Sequence, residues 1–384
     1  MPYGHRVRIA HVSDCYLPRT GGIETQVRAL ATRQAVAGMD VRVITATPVA
    51  DVAVPITAGV PEVPVHRCTM RMPFDLPIHL RTRAEVTEVL RRDPVDVLHV
   101  HAGVISPFAW GALRAAHRLR LPALVTVHSI WGGLARPAVR ASDGVIGWTR
   151  WGLQLSAVSQ LAADRIAAAV PQAGPVLVIP NGIDAASWQI DHVSGPPSTL
   201  RLVTVMRLAP RKRLLPLLKI VQRAQERLSS TATLRLTIIG DGPERARAER
   251  AVRGTGLVEF AGRLDQTGIL ARLAYADAYV QPSVKESFGI AALEARAAGL
   301  PVVARSQAGT AQFIRDGVEG LLVDSDTGMV DAIVRLATDQ AVGERIRAHN
   351  TGVAPEQTWE HVMRAASDGY AHAIDRIRPA WGSA

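Results

Sequence analysis

Two glutamates eight positions apart, Glu286 and Glu294, bracket the turn Ser287-Phe288-Gly289-Ile290. The turn runs into a helix, whose first backbone N–H groups and positive dipole end favour a phosphate or sugar oxygen. Glu286 at the loop and Glu294 down the helix add acceptors for hydroxyl groups. A sugar nucleotide needs both features, because it carries a diphosphate to be cradled and hydroxyls to be held. The plainer alternative has Glu286 capping a loop and Glu294 on a solvated face. Upstream, Arg207 and Lys212 lie in Met206-Arg207-Leu208-Ala209-Pro210-Arg211-Lys212-Arg213. Preorganised cations at such a place stabilise the negative charge of a departing nucleoside diphosphate without a metal. Their alternative is a solvated basic loop.

These side chains need elements to aim them. Apolar strands alternate with helical patterns in both halves of the chain, which predicts parallel sheets built from βαβ units. In the first half, strands are expected at 6–13, 41–46, 63–67, 95–100, 123–127 and 153–159. Gly21-Gly22-Ile23-Glu24 opens a helix over 24–37 closed by Gly38, a second helix covers 83–92, and Ser159 is the N-cap of a third that runs to Val170. Pro180-Asn181-Gly182-Ile183-Asp184 and the Gly- and Pro-containing run to Thr199 predict an interdomain hinge. The second series has strands at 200–206, 234–240, 258–261, 278–281, 301–304 and 320–323. Its helices are expected at 213–228, 243–255, 265–275, 289–298, 311–315 and 327–339, with a last helix over 355–376. The expected fold class is α/β, two Rossmann-like doubly wound domains at 1–182 and 200–354, joined by a linker at 183–199 and followed by a C-terminal helical segment at 355–384. Ligands in such sheets sit outside the C-terminal strand ends.

A length of 384 residues favours two cores, and 48% hydrophobic with 20% charged residues describes a globular protein with ample interior. Cys15 and Cys68 lack disulfide or metal-ligand spacing, which fits a reducing cytoplasm. No signal peptide is expected from the first residues. The most apolar window, 97–113, is interrupted by His99, His101, Ser106 and Pro107 and reads as strand, loop and helix start, not a membrane span. A net charge of +10 attracts anionic surfaces. Basic clusters fall at Arg81, Arg83, Arg91 and Arg92, at Arg114, His117, Arg118 and Arg120, and at Arg207, Arg211, Lys212 and Arg213. No aromatics interleave with them, so nucleic acid is not an expected partner, and peripheral contact with an anionic membrane carrying a lipid acceptor is. A nicotinamide dehydrogenase is excluded, since no Gly-x-Gly-x-x-Gly follows a strand.

The run from Gln281 to Asp324 contains Glu-x7-Glu, Ala298-Gly299-Leu300-Pro301-Val302-Val303-Ala304 and Asp316-Gly317-Val318-Glu319-Gly320-Leu321-Leu322-Val323. It closely resembles the most characteristic part of the C-terminal domain of retaining glycosyltransferases of family 4. Gly240-Asp241-Gly242-Pro243-Glu244 and Ala261-Gly262-Arg263 match two further motifs of that family. The resemblance implies the GT-B fold, in which two domains face across a cleft, the N-terminal one on the acceptor side, and a C-terminal helix crosses back to it. It implies a retaining, metal-independent transfer of a hexosyl group to a hydroxyl of a glycan, glycolipid or small-molecule acceptor, with no cofactor beyond the donor. The layout resembles actinobacterial GDP-mannose-dependent mannosyltransferases, so GDP-mannose is the first expected donor and a UDP-sugar the second.

Residue by residue, the resemblance has Arg207 and Lys212 grip the diphosphate. His128, at the end of the strand 124–127, matches an active-site histidine that contacts the donor sugar, and Glu286 is the carboxylate of the catalytic set. Gly21 and Gly22 match a glycine loop, with Glu24 in register. Arg263 and Leu264 flank the nucleobase, and Ser287, Phe288, Gly289, Ile290 and Glu294 complete the donor site. His101 is open between a structural and an acceptor-side role. The acceptor loops, at 75–82 and 132–142, carry no readable motif. The chain departs from the family where Ala308-Gly309-Thr310-Ala311-Gln312 replaces Gly-Gly-x-Pro-Glu, which keeps hydrogen bonding and drops a charge. Asp324-Ser325-Asp326 looks like the metal-binding Asp-x-Asp of a different glycosyltransferase fold, but its place after the last strand makes it a helix-capping loop. Two other readings stay open: a GT-B sugar-nucleotide epimerase, which needs further acid/base groups, and a non-transferring subunit that binds nucleotide sugar, against which the intact Arg207, Lys212, Glu286 and Glu294 count.

Overall fold

A computed structural model describes residues 7–19, 21–49, 62–69, 81–103, 105–131, 135–196, 198–228 and 232–377. The chain opens with β1 (Arg8–Ser13), α1 (Gly22–Val36), β2 (Asp40–Thr45), β3 (Val65–Arg67), α2 (Thr82–Arg92), β4 (Val97–Ala102) and α3 (Pro107–Leu119). It continues with β5 (Ala123–Val127), α4 (Ala135–Ile146), β6 (Gln154–Ala157), α5 (Gln160–Ala169) and β7 (Leu177–Val178). After Ile183 come β8 (Thr199–Val205), α6 (Leu214–Leu228), β9 (Thr233–Ile239), α7 (Arg245–Ala251), β10 (Val258–Gly262), α8 (Gln266–Ala274), β11 (Ala278–Gln281) and α9 (Ile290–Ala297). The last elements are β12 (Val302–Arg305), β13 (Gly320–Val323), α10 (Asp326–Thr338), α11 (Gln340–Gly352) and α12 (Trp359–Ile377).

These elements form two compact units. One takes the chain up to Gly182 and again from Trp359, the other Ile183–Thr358. In the first, an all-parallel sheet has the order β3-β2-β1-β4-β5-β6-β7; in the second, the order is β10-β9-β8-β11-β12-β13. β4 is buried along its whole length, as are β5 and β12, because helices cover both faces of a parallel sheet. That burial explains why these strands read as apolar runs. Each fully buried Val, Leu or Ile contributes about 1.5–3 kcal/mol by leaving water. In both sheets the strand order reverses at one place, between β1 and β4 in the first and between β8 and β11 in the second, which opens a crevice at the C-terminal strand ends.

Several boundaries differ from the sequence expectation for physical reasons. α1 begins at Gly22 and is closed at Gly38, whose φ of +88° suits glycine and lets the N–H of Met39 reach the Gln34 carbonyl. Residues 183–199 are anchored within the second unit. Ile183 and Trp188 are buried, the 3-10 turn Ala185–Trp188 packs on α9, and the Val193 N–H donates to the Ala274 carbonyl. The final helix starts at Trp359 instead of 355, because the backbone at 357–358 pairs with Ile183 in an isolated parallel bridge. The helix expected at 311–315 is a 3-10 turn over Gly309–Gln312, and the one at 243–255 shortens to Arg245–Ala251. α4 occupies much of the expected loop 132–142, of which 132–134 lie outside the described residues, as do residues 75–80 of the other acceptor loop. β7 and α11 were not foreseen.

α12 lies across β4, β5 and β6, where Val362, Ala366, Tyr370 and Ala373 join Ile9, Leu30, Val97, Leu124 and Ile179 in one buried cluster. A Cβ at Gly369 would come within 3.0 Å of Leu124, so the helix seats closely there. Among the described residues no helix is long and apolar enough to cross a membrane.

Candidate active site

The crevice between β8 and β11 gathers the residues with the strongest chemistry. The loop after β8 carries Arg207 and ends in the 3-10 turn Pro210–Lys212; the loop after β11 carries Glu286 and leads to α9. The Lys212 Nζ donates to Glu286 Oε2 at 2.5 Å, with both side chains mostly shielded. The Ser283 hydroxyl donates to the Lys212 carbonyl at 3.2 Å, tying the two loops a second time. Arg213, at a left-handed φ of 60°, turns the chain from Lys212 into α6 and pairs with Asp326 at 2.7 Å. Lys212 and Glu286 are therefore held as a preformed charge pair at the sheet's reversal point.

Gly289 is the N-cap of α9, with φ of +97°, and a Cβ there would lie 2.6 Å from Thr310 Oγ1. Thr310 donates to Gln281 Oε1 at 2.8 Å, which braces the turn from behind. A Cβ at Gly309 would sit 2.1 Å from the Ser287 carbonyl, and the Gly309 N–H donates to the Glu286 carbonyl at 2.8 Å. Gly309 is thus the residue that lets the Glu286–Ser287 backbone lie where it does. Phe288 points inward against Phe313 with ring centroids 5.3 Å apart, so it supports the turn from the interior. Ser287 and Ile290 are half-buried on either side.

Glu294 stands one turn into α9, and burial pushes its carboxyl up to about 8. The buried Tyr279 hydroxyl donates to the Val205 carbonyl at 3.2 Å. Burial above all, then the charges of Glu286 and Glu294, push that hydroxyl up and hold it protonated. On the other side of the crevice, the β8, β9 and β10 ends interlock through glycines. A Cβ at Gly240 would lie 1.9 Å from the Met206 carbonyl, and one at Gly242 2.5 Å from the Leu208 carbonyl. This close packing presents Arg207, which is exposed, beside the Asp241 turn. Arg263 is exposed and Leu264 half-buried immediately after β10. Glu244, next to the same turn, has Oε2 buried without a hydrogen-bond partner.

In the first unit, Gly21 is the N-cap of α1 with extended backbone and Gly22 its first residue. At the β1/β4 reversal, Asp14 accepts the N–H groups of Phe108 at 3.0 Å and Ala109 at 3.3 Å, capping α3. Burial, outweighing these hydrogen bonds, pushes its carboxyl up to about 6. His128 follows β5 and its Nε2 lies 3.1 Å from His101 Nδ1. His101 Nε2 lies 2.9 Å from His11 Nδ1, and the His99 ring lies tilted against that of His101 with centroids 4.1 Å apart. Burial lowers His11 and His128 to about 4 and drives His99 and His101 well below the usual histidine range. Nitrogens of His11, His99 and His101 lie within 4.8 Å of one another, yet each of their ring nitrogens already has a neighbour as partner. The cluster is a hydrogen-bonded network. His11, Gln34 and Tyr370 escaped the sequence reading, because each sits in an apolar stretch and its partner is distant in sequence.

Ser325 caps α10 by accepting the Gly328 N–H at 3.0 Å, and Asp326 is held by Arg213 and Arg305. The Asp324-Ser325-Asp326 triplet is accordingly engaged in helix capping and ion pairing. A cleft of about 500 Å3 opens at the opposite, N-terminal end of β8 and β9. Its Arg201, Arg235 and Arg272 already pair with Asp277, the Gly256 carbonyl and Glu259, and it contains none of the residues discussed above.

Residues 20–187 match the family described as Glycosyltransferase Family 4, and residues 199–339 match Glycosyl transferases group 1. A phosphatidyl-myo-inositol mannosyltransferase of Mycobacterium leprae is 30% identical over 93% of this chain and 94% of its own length. A D-inositol 3-phosphate glycosyltransferase of Actinosynnema mirum is 28% identical over 96% of this chain and 97% of its own. The fold is shared with the crystal structure of Anabaena HepE in complex with UDP and glucose, at 18% identity and a TM-score of 0.69, covering 95% of this chain and 100% of that one. With the doubly wound architecture and a relative at 30% identity along nearly the whole of both chains, this protein belongs to the family 4 glycosyltransferases and is a hexosyltransferase of the GT-B fold class.

Proposed function

We propose that the protein is a retaining, metal-independent hexosyltransferase that moves a mannosyl group from GDP-mannose to a hydroxyl of an inositol-bearing acceptor. The observation that carries this reading is the Lys212–Glu286 pair, preformed at 2.5 Å in the β8/β11 crevice beside the N-terminus of α9. In this reading Arg207 and Lys212 hold the diphosphate and take up the charge that develops as the bond from the sugar C1 to phosphate oxygen breaks. The acceptor oxygen bonds to C1 on the face the phosphate leaves, and its proton passes to the departing phosphate oxygen, so the anomeric configuration is retained. Glu286 and Glu294 accept hydrogen bonds from hydroxyl groups of the donor, Glu294 through the carbonyl oxygen of a carboxyl that burial pushes up to about 8; Ser287, Gly289 and Ile290 supply backbone at the helix start, and Arg263 and Leu264 border the base. His128 orients the transferred sugar.

Mannose and inositol are drawn from the relatives: one is named for mannosyl transfer to phosphatidyl-myo-inositol, the other for transfer to inositol 3-phosphate. A UDP-sugar is the second donor to test, since HepE holds UDP and glucose. The lipid form of the acceptor is favoured by α2 and α3, which pack side by side and expose Arg81, Arg83, Arg91, Arg92, Arg114, Arg118 and Arg120. That surface supports the peripheral contact with an anionic membrane that this reading includes.

The test is transfer from GDP-mannose to inositol, inositol phosphate and phosphatidylinositol vesicles, followed by proton NMR of the product and repeated with a chelator. The reading expects an α-linked product, no change with chelator, and faster transfer on anionic vesicles. A β-linked product or strict dependence on a divalent ion contradicts it.

A further inference from the structure

A continuous hydrogen-bond chain runs inside the first unit along one face of the sheet, from His128 to Ser156 on β6, and its direction is fixed by its ends. Its fixed end is the Val125 carbonyl, which can only accept, and which takes the Ser156 hydroxyl proton at 3.2 Å. Ser156 Oγ must then accept from Thr126 Oγ1, 2.7 Å away, and Thr126 in turn accepts from His99 Nε2 at 2.8 Å. A neutral imidazole that donates from Nε2 accepts at Nδ1, so the Tyr370 hydroxyl, 2.9 Å from His99 Nδ1, donates to it. Tyr370 then has only lone pairs for Gln34, whose amide nitrogen lies 2.8 Å away, leaving Gln34 Oε1 to accept from His11 Nε2 at 2.7 Å. His11 Nδ1 accepts from His101 Nε2, and His101 Nδ1 accepts from His128 Nε2.

Burial keeps all four rings neutral, as the argument requires. Running every donor the other way would turn the Gln34 amide over and abandon the Ser156–Val125 bond, leaving a buried carbonyl poorer by one partner.

We propose that this chain fixes His128 as the tautomer with its proton on Nε2 and its lone pair on Nδ1, and that Tyr370 and Ser156 are positioning residues for it. The consequence for transfer rests on the proposed role of His128 beside the transferred sugar: His128 meets a hydroxyl as a hydrogen-bond acceptor, and it has no proton on Nδ1 to give to the departing phosphate. The hydrogen bonds that link Tyr370 of α12 to His128 among the described residues run through Gln34, His11 and His101. The tautomer itself is read from geometry within one unit and does not depend on the donor.

The experiment uses the full chain labelled with 15N-histidine, whose ring nitrogens report protonation directly in long-range proton–nitrogen spectra at neutral pH. The His128 signal is identified by its loss in His128→Asn. The expected spectrum has His11, His99, His101 and His128 protonated on Nε2 alone. Tyr370→Phe frees the Gln34 amide to turn, and Ser156→Ala removes the bond that sets the direction. Each variant is expected to give His128 a second population protonated on Nδ1, with kcat for transfer lower by several-fold and KM for the donor unchanged. Should Tyr370→Phe fail to fold, Ser156→Ala, a one-atom deletion, carries the test. A wild-type His128 protonated on Nδ1 or on both nitrogens overturns the assignment. A single Nε2 tautomer retained in the folded variants overturns the positioning role, and an unchanged kcat beside mixed tautomers overturns its functional half. If no transfer is found with any donor, the nitrogen spectra still decide the tautomer.

Discussion

At the scale of single residues, Lys212 and Glu286 are the pair on which the proposed chemistry turns. Their separation of 74 positions is bridged by two loops that meet where the strand order reverses. Lys212→Ala and Glu286→Gln are each expected to lower kcat/KM for transfer by about 100- to 1000-fold, the usual cost of one preorganised charge-stabilising group. The pair is partly reached by solvent, so thermal unfolding should register a loss of only about 1 kcal/mol. Near-normal turnover in either variant would remove the crevice from the mechanism. The residues proposed for this candidate site, Glu286, Glu294, Arg207 and Lys212, were named from the sequence because they follow predicted strands or start the helix behind one. The brace behind it was not. Gly309 lies in a segment that departs from a family motif at Ala308, Ala311 and Gln312, and only the 2.1 Å approach to the Ser287 carbonyl shows why a Cβ cannot be there. The histidine chain was hidden for a different reason. A polar residue buried in a helix or strand reveals its role through partners, and those of Gln34 in α1 and His99 in β4 include Tyr370, 336 and 271 residues away.

At the scale of elements, Asp14 couples β1 to the start of α3. Its folded-state carboxyl titrates near 6, above the ordinary value for an unfolded aspartate near 4. A raised value means that its favourable contribution is complete below pH 4 and is lost as pH climbs through 6. The span of two units corresponds to about 3 kcal/mol at most. Asp14→Asn should therefore show a smaller fall in stability between pH 4 and 6 than the wild type, measured by urea unfolding at each pH. Equal slopes in the two proteins would contradict the assignment. A second expectation concerns the turn before α9: Gly309→Ala should cost about 2–3 kcal/mol and lower transfer with it, because the methyl must push aside the Glu286–Ser287 backbone. Unchanged melting and activity would show that the turn tolerates the displacement. Elements with strong apolar runs were readable in advance. α4 and α11 were not, since α4 carries Pro137 and Gly144 within it and α11 buries only Val342, Ile346 and Asn350 among mostly polar residues, and 183–199 read as an interdomain linker because its anchors, Ile183 and Trp188, are isolated apolar residues.

At the scale of the whole molecule, the chain leaves the first unit at Gly182, builds the second, and returns at Trp359 to complete the first. The returning helix is part of the first core. It covers Ile9, Leu30, Val97, Leu124 and Ile179 and closes the polar network through Tyr370. A chain stopped after Thr358 should lose soluble expression or cooperative melting, whereas a soluble, sharply melting truncation would show that the first sheet stands without α12. The central claim, that the β8/β11 crevice is a metal-free nucleotide-sugar site, is tested most directly by calorimetric titration. GDP-mannose, UDP-glucose and UDP-N-acetylglucosamine would be compared with GDP and UDP, with and without chelator, in wild type and Lys212→Ala. The account predicts that one sugar nucleotide binds better than its bare nucleotide, that chelator changes nothing, and that Lys212→Ala weakens the binding strongly. Failure of every nucleotide to bind, binding that needs a divalent ion, or full affinity in Lys212→Ala would contradict it.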